Sequence, residues 1–235
     1  METVFGAILL LIVVGVGWCV AGEGAWGAAL TFLAVLFAGL LAMNFFEPLA
    51  VFLESTFGSG FGPFADLTAL LGLFALFTFL LRLATDSISP TEIELDGRAH
   101  QAARWLFAAA TGYTTMAILL TALHTAPLPR DLKYIGFRPE QRNFFDISAP
   151  DRQWLGFVQH VSEKVLRTGK VFDGPEFSMP EGTTKQIWPS FPIRYATRRQ
   201  DYSSGRKVGG TVGAAPAGAA PAAAPSGPAG PSPGF

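Results

Sequence analysis

Residues 4–46 read VFGAILLLIVVGVGWCVA (4–21), GEG (22–24) and AWGAALTFLAVLFAGLLAMNFF (25–46), and Glu23 is the one charge in the whole stretch. A bilayer's hydrocarbon core takes about 20 apolar residues in helical form, with a lower limit near 17. Both runs meet that length, and the residues between them allow only a tight turn. In hydrocarbon every backbone N–H and C=O must be paired inside the span, so the runs are helices. This stretch decides the class: a membrane-spanning helical hairpin.

Two further runs follow. Leu67–Leu81 (LTALLGLFALFTFLL) is short for a span unless Phe64 and Ala65 extend it past Asp66. Trp105–Leu123 is long enough, and its Thr111, Gly112, Tyr113, Thr114 and Thr115 suit a helix that faces other helices. Small residues (Gly15, Gly17, Gly27, Ala28, Ala38, Gly39, Ala42) allow close packing, yet no clean G-x-x-x-G marks the packing face. Pro48 is expected to end or kink the second helix, with Leu49–Leu53 along the interface. A glycine-rich turn (58–63) and a polar connection from Arg82 to Arg104 link the later spans. The first run reads as a span rather than a cleaved leader, because Met1-Glu2-Thr3 carries no Lys or Arg and the run exceeds a usual leader core.

The rest of the 235 residues differ in chemistry. Half of the chain is hydrophobic and 15% charged, against roughly a quarter charged in soluble domains. Of the 17 Lys and Arg, only Arg82, Arg98 and Arg104 precede residue 126. A single soluble domain is excluded, and Cys19, the one cysteine, excludes an intrachain disulfide. A net charge of −1 offers nothing to nucleic acid. Lys and Arg in the third connection, against none in the earlier ones, place that connection in the cytoplasm and the C-terminal region outside.

Past Thr125 prolines punctuate the chain. Ser148-x-x-Asp151 reads as a capping box opening an amphipathic helix over about 149–168, with Trp154, Leu155, Val158, Val161 and Val165 on its apolar side and Gly169 as its stop. It would lie on the membrane surface or the bundle, or form the core of a small outer domain. Ile193–Arg199 alternates weakly, like a strand. From Ser203 the Ala/Pro/Gly composition predicts disorder.

No catalytic constellation emerges. His100, His124 and His160 lack metal-ligand spacing, and no nucleotide-binding motif is present. Cys19 sits in an apolar span as a small hydrophobe. Glu47 and Asp66 are the candidate functional carboxylates: Pro48 and Pro63 favour the solvated interface for both, and within the membrane either could carry a proton or cation. Arg82 is expected to snorkel to the headgroups.

Four short spans, a tight first turn, and Asp96-Gly97-Arg98 ahead of a small-residue fourth span (Ala108, Ala109, Ala110, Gly112) resemble the colicin V production (CvpA) family of bacterial inner-membrane proteins. The resemblance covers about residues 4–125. In the tail, Pro150–Val158 and Phe191–Arg199 look like the longer members with an added C-terminal region. The family implies a role in toxin export and envelope homeostasis, and no catalytic residues.

The expectation is an all-α membrane protein: four transmembrane helices (1–125), a Pro-rich extramembrane region with one amphipathic helix (126–202) and a disordered tail (203–235). It would be a non-enzymatic accessory or scaffold of the inner (cytoplasmic) membrane, without cofactor or metal. Its partners would be the lipid bilayer and a second copy or an envelope protein. Two other readings are a small transporter or channel subunit using Glu47 or Asp66, and an anchor docking a partner protein through Trp154, Leu155, Phe157 and Val158.

Overall fold

The computed structural model describes residues 2–58, 60–88, 96–127, 137, 142–165, 172, 191–192 and 194–196. Five α-helices follow in order: α1 (Glu2–Ala21), α2 (Gly24–Phe57), α3 (Gly62–Ile88), α4 (Gly97–Thr125) and α5 (Pro150–His160), the last continued by a π turn over Val161–Val165. No strand occurs among the described residues; one isolated bridge joins Phe144 and Ser148. Four of the helices are long and apolar enough to cross a membrane. The chain is an all-α, multi-pass membrane protein. The expected tail from Ser203 and the Gly169 stop lie outside the described residues.

Local chemistry sets the helix ends. Gly24 at φ +80° makes the tight turn that the 22–24 segment promised, a backbone state that glycine adopts without strain. Gly58, at φ +83°, ends α2, and its N–H donates to the Glu54 carbonyl at 3.0 Å. The Asp96 carboxylate accepts from the Gly97 N–H at 2.9 Å and opens α4. Hydroxyls inside the spans are satisfied by the preceding turn: Thr78 donates to the Phe74 carbonyl, Thr111 to Phe107 and Thr121 to Ala117.

Three expectations need correction. Pro48 does not end α2, which runs on to Phe57. The proline removes one hydrogen bond, but Leu49, Ala50 and Leu53 pack into the core shared with α3, and that burial holds the last turns helical. So Leu49–Leu53 belongs to a helix, not to an interfacial segment. Likewise α3 reaches Ile88 and α4 starts at Gly97, which leaves a much shorter third connection than Arg82–Arg104. Finally, of the Ile193–Arg199 stretch expected to be extended, Arg194–Ala196 is helical, with Tyr195 buried beside Phe191, and the rest lies outside the described residues.

The spans alternate in direction. Arg82 of α3 reaches Glu23 in the first turn at 3.1 Å, and Gly24 lies against His100 of α4, which gathers these segments at one end. Trp18 and Trp105 meet nearby as tilted rings with centroids 6.1 Å apart, and the Arg104 guanidinium lies 5.4 Å from the Trp105 ring centre. Such a level of Trp and Arg matches a membrane–water boundary. At the opposite end Phe5 meets Phe137, and Gly6 lies against Phe145. Leu11, Phe79 and Leu106 point outward, as lipid-facing side chains do.

Packing between spans rests on small residues. Along α1 and α4 the buried residues step by four in opposite directions: Phe5 and Leu9 share a core with Met116 and Leu120. Gly112 lies so close to the Val13 carbonyl that no Cβ fits between them. A Cβ at Gly17 would sit 3.3 Å from the Ala108 carbonyl oxygen. Ala108-x-x-x-Gly112, among the small residues noted in the fourth span, is thus the pair that forms the packing face. α2 packs against α3 and α4, and Ala28, Val35, Ala38, Ala42 and Phe46 form its buried stripe.

Gly112→Ala is expected to lower stability by about 1–3 kcal/mol through forced separation of α1 and α4. Gly72→Ala, where a Cβ meets nothing within 4 Å, should be neutral or slightly stabilising. Thermal unfolding of the detergent-purified protein followed by circular dichroism distinguishes the two.

Candidate functional site

The site grows from one gap. α3 touches α4 only sparsely, which leaves the α2 face between them as a groove for α5. α2 lines this groove with Gly39. A Cβ there would lie 2.6 Å from Ile118 Cδ1 and 2.7 Å from Trp154 Cζ2. Trp154 of α5 fills the slot that the missing side chain leaves. Gly39 lies seven residues before Phe46, about 10 Å along the helix. The indole therefore reaches well inside the bundle, and Leu155 and Val158 join the same core. Of the two placements open for this helix on sequence grounds, membrane surface or bundle on one side and a separate outer core on the other, the bundle is the one observed. Phe157, at 36% exposure, is the outward member of the four candidate docking residues.

The start of α5 departs from the capping box. Ala149, not Ser148, is the N-cap, with no side-chain capping bond, and Pro150 supplies the first-turn geometry. Asp151 turns inward. Its Oδ2 lies 2.8 Å from His124 Nε2 in the last turn of α4, and both side chains are fully buried. An imidazole buried at a span's end selects a carboxylate partner over solvent, and this outcompetes an exposed cap. Helical backbone runs through Val165, and residues 166–168 of the expected helix lie outside the described residues. After His160 the backbone widens into the π turn, which leaves Val165 exposed. The Ser162 hydroxyl donates to the Gln159 carbonyl and accepts from the Phe172 N–H, each at 2.9 Å.

A second clasp closes the same end. Arg194 Nη1 lies 3.6 Å from Glu47 Oε1. Phe191 packs against Tyr195 with ring centroids 4.6 Å apart and planes inclined by 51°, and meets Phe46 edge-on at 6.3 Å. Tyr113 on α4 donates its hydroxyl hydrogen to Gln153 Oε1. So the chain beyond the spans is fastened to α2 by one polar and one aromatic contact and to α4 by two polar contacts.

The sequence candidates separate accordingly. Glu47 is half-exposed beside Arg194, at the end of the groove. Asp66 is buried in the second turn of α3, within the helix that Ala65, Ala69 and Leu70 bury in the main core. Asp96 is the N-cap of α4 and Arg98 is exposed beside it, at the far end from the groove. Arg82 pairs with Glu23 and with Asp86 at 3.2 Å instead of reaching for headgroups; Thr31 completes the set by donating to Glu23 at 2.6 Å. Sequence reading missed the His124–Asp151 pair. Its one signal was a histidine in the last turn of an apolar helix, followed by an acidic residue at the start of an apolar stripe.

No group of three His, Cys, Asp or Glu side chains suited to a metal converges among the described residues. No protein-family model, curated protein or solved structure matches the chain.

Asp151→Ala would leave His124 buried opposite a void, and is expected to lower stability by about 3–5 kcal/mol. Replacing both partners, His124→Leu with Asp151→Leu, should cost less than the single change, since neither buried polar group is then orphaned. Denaturant unfolding of the three variants measures that coupling. Glu47→Gln, at a half-exposed pair, should cost about 1 kcal/mol or less.

Proposed function

We propose that this chain is a non-enzymatic accessory or scaffold protein of the bacterial inner (cytoplasmic) membrane, of the CvpA type, acting in export or envelope homeostasis. The observation that carries this reading is how the ionisable side chains are spent. Glu23 ties the first turn to α3, His124 ties α4 to α5, and Glu47 ties α2 to the C-terminal segment. Each pair joins two segments, so these charges are engaged in holding elements together, which supports a structural use of them. In this reading the third connection faces the cytoplasm, the groove and α5 face outward, and the protein works with a second copy or an envelope protein.

A second reading, a small transporter or channel subunit, draws on the burial of Asp66. A carrier needs a carboxylate that exchanges partners, and an acid buried in a span is the place to look for one. The anchor reading requires α5 to expose Trp154, Leu155 and Val158, which the bundle now buries.

Purified protein in proteoliposomes tests the choice. Scaffold function predicts the same proton and potassium flux for wild type, Glu47→Gln, Asp66→Asn and empty vesicles. Flux above empty vesicles that Asp66→Asn abolishes would replace the scaffold reading with transport. Phosphatase fusions after Asp96 and after Val165 check orientation, and activity only at the second junction is the expected result.

A further inference from the structure

The chain that leads into α5 can be placed in depth against α1 and α4. Val13 meets Gly112 and Gly17 meets Ala108, so the two spans run antiparallel in step and Glu2 stands level with Leu123. α1 has 20 residues, about 30 Å, which is one hydrocarbon thickness. Phe145 sits on Gly6, where an added Cβ would lie 2.9 Å from its ring. Gly6 is about 6 Å along α1 from Glu2. Asp151 meets His124 at the rim, and Gln153, two residues on, accepts from Tyr113. Tyr113 is about 15 Å along α4 from Leu123. Both spans give the same result: this segment descends from the rim into the hydrocarbon layer.

Yet it turns polar groups outward. Arg142, Asp146, Arg152 and Gln153 are exposed, and Ser148 is half-buried. Arg142, Ser148, Arg152 and Gln153, with Ile147 and Ala149, line an open cleft of about 370 Å³, room for about ten water molecules. We propose that this cleft is a water-filled crevice, open at the α4 C-terminal end and reaching inward to the Tyr113–Gln153 hydrogen bond. It is separate from the scaffold reading and depends on membrane residence alone. Because it stops at Tyr113, it admits water and small hydrophilic solutes to mid-membrane without conducting them across.

Lipid is a poor cover for this face. Arg142 and Arg152 have stems long enough to carry their guanidiniums toward the headgroups, but Asp146, Ser148 and Gln153 do not. The mixture of signs, Arg142 and Arg152 against Asp146, does not lift the need for water. An ion pair that stays exposed still loses its hydration in hydrocarbon. The backbone adds to the demand. Residues 142–149 are irregular, and Phe145 and Asp146 take left-handed states. Non-helical backbone at membrane depth persists only where protein buries it or where it lines water. Phe145, Asp146 and Ile147 are exposed, so this protomer does not bury the turn. A second copy would have to fill a hollow already walled by polar side chains, whereas water fits it as it stands.

The test is cysteine reactivity in the full-length protein, with Cys19 replaced by Ser and the protein in lipid nanodiscs, where both faces meet the reagent. Only a thiolate reacts, and a thiol in hydrocarbon stays protonated. A charged methanethiosulfonate should modify Ser148→Cys and Gln153→Cys at least about 100-fold faster than Ile8→Cys. Ile8 is a lipid-facing position of α1 at intermediate depth. Rates at both cleft positions as slow as at Ile8→Cys would overturn the proposal, and disulfide-linked dimers through Ser148→Cys would then give the face to a second copy. Fast reaction at Ser148→Cys alone would confine water to the rim and also reject the crevice. Ser148→Cys exchanges an oxygen for a sulfur and should fold as wild type. Arg152→Cys, exposed on the same turn, replaces Gln153→Cys if that variant misfolds.

Discussion

Lipid gives apolar helices no reason to leave it for one another, so this bundle depends on close approach at positions that carry no side chain. Two glycines set the arrangement. Gly112 brings α4 onto the Val13 backbone of α1, and Gly39 opens α2 to Ile118 and Trp154. The first contact joins the outermost spans of the sequence. The second admits a helix from beyond the spans into the bundle's side. Dispersion between interlocked surfaces is then available at many atoms, which is what replaces the missing hydrophobic drive.

The groove over Gly39 explains the polar architecture. α5 must enter with a charged first turn to place Trp154, and a charge near hydrocarbon is costly unless paired. His124 supplies the pairing for Asp151 at the level where α4 ends. Arg194 and Glu47 close the neighbouring edge, half-exposed and so individually weak. Their contribution is to orient Phe191 and Tyr195, whose rings cover Phe46 and seal the top of the core. Polar contacts here set position, and the aromatic rings supply the buried area.

Span number was legible because apolar length is a one-dimensional property: residues 4–46 and 105–123 declare themselves without reference to anything else. The apolar stripe of α5 was legible for a similar reason, as Trp154, Leu155 and Val158 follow helical spacing. What could not be read depended on partners distant in sequence. The run of α2 through Pro48 needs α3 beside it, since local chemistry alone predicts a break. Asp151 matched a capping pattern, and only His124, 27 residues earlier, redirects it. Arg82 looked free to snorkel until the fold brought Glu23 to it. Among the candidate site residues, Glu47 and Asp66 were legible as carboxylates near lipid, but their separation into a clasped, half-exposed acid and a buried one is a tertiary fact.

The docking of α5 and the chemistry of its first turn are coupled by geometry. Asp151 and Trp154 face the bundle, Gln153 accepts from Tyr113 of α4, and Arg152 lies on the exposed side. An 11-residue helix is too short to hold its shape alone in water, so it is helical because Trp154 and Asp151 are docked. Anything bound on the outward side of the first turn must then favour the docked state, and docking must strengthen that binding by the same factor.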